Sequence, residues 1–124
     1  MIDFKNAEFI KLTKLDTIDH EAVIAPILVD DEVVISEYRA IRDFVIFTNK
    51  RIISINVQGL TGTKKDFTSL PYSKIQAFSV ETAGVLDLDS ELELWFSGMG
   101  KIKFEFVARA NVADICRMIS EKVL

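Results

Sequence analysis

The sequence predicts a mainly β protein: a sandwich or barrel of about seven antiparallel strands capped by one C-terminal α-helix. Three observations carry that reading. From Val33 to about residue 108, short runs rich in β-branched and aromatic residues follow one another with turn residues between them. No helical periodicity interrupts these runs, which argues against the alternating strand–helix order of a parallel sheet. After the last run, "NVADICRMISEKVL" places Val112, Ile115, Cys116, Ile119 and Val123 at helical spacing. Asn111 precedes them as a good N-cap, with Asp114 three residues on.

The elements follow in order. In the first 25 residues Phe9, Leu12, Leu15 and Ile18 recur at a spacing of three, with charged residues between them. That spacing predicts one or two short amphipathic helical turns, packed weakly or against a partner. Residues 1–25 are therefore read as a helical extension and 26–124 as the β domain. Pro26 and the acidic run Asp30, Asp31, Glu32 end the helical pattern. Residues 33–42 read as a strand, and "DFVIF" at 43–47 as a strand buried on both faces. In "TNK", Asn49 can take the left-handed conformation a tight turn requires. Ile53, Ile55 and Val57 then alternate with Ser54, Asn56 and Gln58, so 44–58 is a hairpin.

Further strands are expected near 65–70, 74–82, 91–97 and 101–108. Parity registers the last two. Leu92, Leu94 and Phe96 share one face, and Ile102, Phe104 and Phe106 share one face of the next strand. The three-residue loop "GMG" (98–100) then sets Phe96 near Ile102 and Leu94 near Phe104. It sets Trp95 on the opposite face, beside Lys103.

This order of elements resembles the pleckstrin-homology fold, and the sequence is similar to the bacterial pleckstrin-homology-like family, formerly a domain of unknown function. The likeness is carried by "FTNKRIISINVQGLTGTKKDFTSLPYSKIQAFSVETAG" (47–84) and "LDLDSELELWFSG" (86–98). These hold a T-N-K-R turn, a Q-G-x-T-G-x-K-x loop, a P-Y-x-K-I strand start and an E-T-A-G-x-x-D-x-D-x-E segment, and the match covers roughly residues 25–124. The resemblance implies a non-catalytic fold without a cofactor. It implies members that assemble into ring-shaped homo-oligomers, notably pentamers. The function it points to is an oligomeric protein-interaction or scaffold module, with further copies of the chain and another protein as partners.

Composition narrows the other classes. A net charge of −4 and a pI near 5.0 argue against a broad basic face for nucleic acid. One cysteine, Cys116, excludes an internal disulfide and fits a reducing compartment. It sits on the apolar helix stripe as a small hydrophobe. The N-terminal sequence lacks a basic cluster followed by an apolar core, and no apolar run approaches the length of a membrane span. A cytoplasmic location is expected.

The candidate sites are few. "NVQGLTGTKKDF" (56–67) has two glycines, two threonines and two lysines, but two residues separate Gly59 from Gly62 and a strand is expected to follow. A phosphate-cradling P-loop needs four residues there and a helix after it, so the stretch reads as a strand-to-strand turn. Asp87, Asp89 and Glu91 lack the glycine and distal Glu of a calcium loop and read as solvated or inter-subunit carboxylates. His20, the single histidine, has no partner set that makes a catalytic constellation and reads as a surface or capping residue. Trp95, with Lys103, Glu91 and Glu93 around it, is the candidate subunit contact, because Trp is enriched among interface anchors. Lys64, Lys65 and Lys74 form the best basic cluster for the alternative reading, a peripheral lipid or phosphoinositide binder. That alternative is disfavoured, because Arg39 and Arg42 sit in a short loop followed by Asp43 and the chain is acidic.

Overall fold

A computed structural model describes Phe4 and residues 11–86, 88–107 and 111–124. In chain order these form β1 (Lys11–Lys14), α1 (Glu21–Ile24), a 3-10 turn at Ala25–Ile27, β2 (Val34–Arg39), β3 (Phe44–Thr48) and β4 (Arg51–Gln58). Then come β5 (Lys64–Pro71), a 3-10 turn at Tyr72–Lys74, β6 (Ile75–Glu81), β7 (Ser90–Phe96), β8 (Gly100–Phe106) and α2 (Val112–Val123). The seven strands expected between residues 33 and 108 and the closing helix are all present.

The N-terminal segment differs from the sequence reading. Lys11–Lys14, expected as helical turns, is a strand; Phe9 lies outside the described residues. β1 sits inside one eight-stranded sheet of order β5-β4-β3-β2-β1-β8-β7-β6. It pairs antiparallel to β2, with Thr13 opposite Arg39, and parallel to β8, with Leu12 opposite Phe106. The sheet therefore contains one parallel pair, formed by a strand that lies outside the 33–108 stretch read as antiparallel. Leu12 is fully buried, while Lys11, Thr13 and Lys14 are exposed. A strand of four residues with one apolar side chain is too short for a period of two to be told from a period of three. Among the described residues of this region, helix is confined to α1 and the 3-10 turn after it.

β3 and β4 have a core on each face. Val45, Phe47 and Ile52 point into the curled sheet with Tyr38, Phe104 and Phe106. Ile46, Ile53 and Ile55 point outward and pack with Ile24 from α1. "DFVIF" is thus buried on both sides, as its unbroken apolar run predicts. The alternation in β4 also holds, but its polar-looking face is the inner one. Ser54 is fully buried on the side of Ile52, and its hydroxyl has no hydrogen-bond partner among the described residues.

The β3–β4 turn is built differently from expectation. The non-glycine with positive φ is Asp31 (φ 65), not Asn49. The turn is held instead by the Thr48 hydroxyl, which accepts from the Lys50 and Arg51 N–H groups at 3.0 Å each. Asn49 uses its side chain to clip the preceding segment. Its amide donates to the Asp31 carbonyl, and its oxygen accepts from the Val33 N–H, both at 2.8 Å.

The β7–β8 hairpin keeps its predicted faces but shifts by two residues. Leu94 lies opposite Ile102, Leu92 opposite Phe104, and Phe96 opposite Gly100. The three-residue loop is Ser97–Gly98–Met99, with left-handed glycines at Gly98 (φ 77) and Gly100 (φ 88). A shift of two preserves parity, which is why the inner and outer sets are unchanged. α2 begins at Asn111, whose side-chain oxygen accepts from the Asp114 N–H at 3.3 Å. It buries Val112, Ile115 and Ile119 against β6, β7 and the Tyr72–Lys74 turn, with Cys116 half-buried on its flank. No helix among the described residues is long and apolar enough to cross a membrane.

Candidate interaction site

The outer face of β6–β7–β8 collects the residues expected at a subunit contact, in three cross-strand rows. Ala77, Trp95 and Lys101 form the first, Ser79, Glu93 and Lys103 the second, and Glu81, Glu91 and Glu105 the third. Trp95 is half-buried and faces Lys101 rather than Lys103, a direct result of the two-residue shift. Lys103 instead reaches diagonally to Glu91 at 3.0 Å, and Lys101 approaches Glu93 at 3.9 Å. The hydrogen bond it donates to Glu91, aided by that carboxylate's charge, holds the Lys103 ammonium above its ordinary pKa. Like charges directly opposite one another are unfavourable in a sheet. The diagonal lysine pair relieves Glu91 and Glu93, and Lys11 lies beside Glu105 on β1. Glu81, at the outer strand, is exposed and has no ion-pair partner among the described residues.

The two strands that end the sheet order differ sharply as edges. β5 opens with Lys64 and Lys65 and closes with Pro71, so its side is cationic at one end and lacks a backbone N–H at the other. β6 reads "IQAFSVE", with no lysine, arginine or proline, and pairs only with β7 among the described residues. Gln76, Ala77 and Ser79 are exposed along it. It is a seven-residue strand whose outer side faces no other described strand, with a bulge between Ile75 and Ala77.

The lysines of the alternative reading do not converge. Lys64 opens β5 and Lys74 lies beyond its far end; an eight-residue strand separates them by roughly 25 Å. Lys65 donates to the Gly62 carbonyl at 3.1 Å. The glycine-rich stretch is the β4–β5 turn it was read as, with Gly59 (φ 78) and Gly62 (φ 68) left-handed and β5 following. A Cβ on Gly62 would also meet Val57 Cγ1 at 3.2 Å.

The loops at that end of the sheet carry a different feature. Phe44 pairs with Ile55, Arg39 with Thr13, and Phe106 with both Leu12 and Ser90, so the β2–β3, β4–β5 and β6–β7 loops share one end. Arg42 ties two of them together by donating to the Gly59 carbonyl at 2.6 Å. Each of the three holds aliphatic side chains in solvent: Ile41 is 88% exposed, Leu60 107%, Val85 94% and Leu86 99%. Asp87, in the third loop, lies outside the described residues.

Two buried polar clusters went unread in the sequence. Glu32, whose side chain is fully buried, takes a bidentate bond from Arg51: Nε to Oε2 at 2.9 Å and Nη2 to Oε1 at 3.0 Å. Thr48 Oγ1 and the Val29 N–H donate to the same carboxylate at 2.7 and 3.1 Å. Burial alone would raise its pKa. The hydrogen bonds from Arg51, Thr48 and Val29 outweigh that and hold the carboxyl below its ordinary value. Tyr72 donates to the Thr48 carbonyl at 2.7 Å, and burial followed by the nearby Glu32 charge pushes its phenol well up. The second cluster joins His20 to Glu37. His20 Nδ1 lies 2.6 Å from Glu37 Oε2, its ring stacks on Phe44 at 3.7 Å, and the Asp19 and His20 N–H groups donate to Glu37 Oε1. His20 does occupy the N-cap position of α1, but its side chain does not cap. The only sequence signal for these pairs was an acidic residue inside apolar β2 and an arginine closing a turn.

The comparisons agree with this architecture. A family model described as "Bacterial PH domain" matches residues 3–123. The uncharacterized protein YjqA of Bacillus subtilis (strain 168) is 40% identical over 108 residues, 86% of each chain. A crystal structure of a DUF1696 family protein with a pleckstrin-homology domain from Shewanella loihica PV-4 superposes with a TM-score of 0.78 at 38% identity, covering 93% of this chain and 99% of that one. A pleckstrin-homology domain from Shewanella amazonensis SB2B gives 0.65 at 40% identity, over 89% and 90% of the two chains. With its curled sheet, its closing helix and a family match over nearly the full length, the chain belongs to the bacterial PH domain family.

Proposed function

We propose that the chain is a non-catalytic, homo-oligomeric interaction module whose copies join head to tail along the sheet. The observation that carries this reading is the contrast between the two terminal strands. β6 offers a hydrogen-bonding edge that ends in the exposed Glu81, which has no ion-pair partner among the described residues, and β5 offers an edge headed by Lys64 and Lys65. Different patches meeting in one contact make a heterologous interface, and such contacts close into rings when the rotation allows. Trp95, one strand in from β6 on the outer face, would flank the junction with Glu91, Glu93 and Lys103 as its polar rim.

Analytical ultracentrifugation of the intact chain tests this. Ser79→Lys adds an edge guard whose ammonium can pair with Glu93 in the same copy, so the monomer should stay folded while the assembly mass falls. Trp95→Ala should weaken assembly while circular dichroism stays strand-rich. A wild-type chain that sediments as a monomer at micromolar concentration sinks the proposal. If Ser79→Lys and Trp95→Ala both retain full assembly mass, copies join elsewhere.

One observation favours a second reading, contact with a lipid surface: the four nearly fully exposed aliphatics on three loops at one end. Protruding single side chains suit a fluid interface better than a rigid pocket. Ile41→Ser/Leu60→Ser should abolish co-sedimentation with phosphatidylcholine vesicles under this reading. No sedimentation of the wild type with such vesicles would dismiss it.

A further inference from the structure

The end of the sheet opposite the aliphatic loops holds an open cleft of about 510 Å³, larger than the clefts of about 220 and 210 Å³ elsewhere on the chain. The β3–β4 turn, the segment after β5 and the last turn of α2 form its walls. That size falls in the range of small-molecule sites, about 300–1,000 Å³. Its floor is rigid, because Glu32, Thr48 and Tyr72 have their polar atoms engaged with one another and with Arg51.

The donors left over define the chemistry. A guanidinium has five N–H groups. Arg51 commits one to Glu32 from Nε, one to Ser69 from Nη1, and two from Nη2 to Glu32 and the Ile27 carbonyl. The fifth, on Nη1, is uncommitted among the described residues. Lys50 and Lys122 line the cleft, are exposed, and have no ion pair there; the Ser73 hydroxyl is likewise without a partner among the described residues. Glu32 and Arg51 cancel in charge, so the two ammoniums leave the cleft at +2 on a chain of net charge −4. Asp30 and Asp31 do not line it. Two compact cations, a hydroxyl and a spare guanidinium N–H match a dianion with several acceptor oxygens. Val29 and Pro71 add apolar wall for an organic arm.

We propose that this cleft binds a phosphate monoester, with Lys50, Lys122, Ser73 and the free Arg51 N–H as its donors. Lys122 also lies in the last turn of α2, where a cation offsets the helix dipole. Stability and binding must therefore be read separately.

The test uses the full chain with two probes: phenyl phosphate in solution, and phosphatidylcholine vesicles containing phosphatidic acid. Calorimetry should show saturable, salt-sensitive binding of phenyl phosphate, and the amide resonances of Lys50, Ser73 and Lys122 should move in NMR. Lys50→Gln/Lys122→Gln should lower the affinity by about tenfold or more with the thermal midpoint nearly unchanged. Binding to vesicles but not to phenyl phosphate, lost in the lysine double variant and kept in Ile41→Ser/Leu60→Ser, supports the same site with a lipid headgroup as the source. Binding of either probe that the lysine double variant leaves intact overturns the proposal. So does the absence of saturable binding to both.

Discussion

Arg51 shows how much one side chain organises here. It closes the β3–β4 turn, neutralises Glu32 and holds the 3-10 turn through the Ile27 carbonyl. Replacing it with alanine leaves a buried carboxylate uncompensated, and Arg51→Ala should cost about 3–5 kcal/mol at neutral pH. The sign of the pH dependence follows from the lowered carboxyl pKa of Glu32. A depressed carboxyl contributes stability above its unfolded value and loses it as pH falls through the folded one. Urea titrations should therefore show wild type and Arg51→Ala converging in acid; a gap independent of pH would place the loss in packing alone. At this scale the sequence was only partly legible. The turn at 48–51 was evident, but Asn49 serves it through side-chain hydrogen bonds and not through a positive φ, which Asp31 adopts instead. Alternation set Ser54 on the face opposite Ile53 and Ile55, but it identifies two faces without saying which is inside. When both faces are buried, that ambiguity cannot be resolved from the pattern.

Among the elements, α2 was the easiest to read, because an N-cap, a stripe and a charged face coincide over twelve residues. Ile119 is fully buried in the main core. Ile119→Ala should cost about 2–5 kcal/mol in chemical unfolding, and a loss under about 0.5 kcal/mol would show that the helix does not close the sheet. The β7–β8 hairpin was legible in its faces but not in its register. Parity cannot separate pairings that differ by two, and both choices leave three residues in the loop. That gap moved Lys103 from Trp95 to Glu91, so the residues sharing the outer face were legible while their partners were not. β1 was missed because its hydrogen bonds come from strands distant in sequence, a tertiary cause that no local window contains. The Glu32–Arg51 pair, nineteen positions apart, was missed for the same reason.

Across the whole molecule, three surfaces divide the perimeter: aliphatic loops at one end, a cationic cleft at the other, and the dissimilar β5 and β6 edges between them. The strand that completes the sheet also sets a schedule for making it. Leu12 and Phe106 are neighbours 94 positions apart in the chain, and the Val107 N–H donates to the Leu12 carbonyl at 3.0 Å. Contacts of such separation form late, because a long loop must close before they contribute. The β2–β3–β4–β5 meander can assemble from local hairpins, whereas β1 stays without one neighbour until β8 has folded. Pulse-labelled hydrogen exchange should find the Val107 amide among the last protected. Leu12→Ala should accelerate unfolding while scarcely slowing folding, since its contacts are absent from the transition state. On a ribosome β1 would emerge before β2 through β8 and would wait for the last of them before both its neighbours were present.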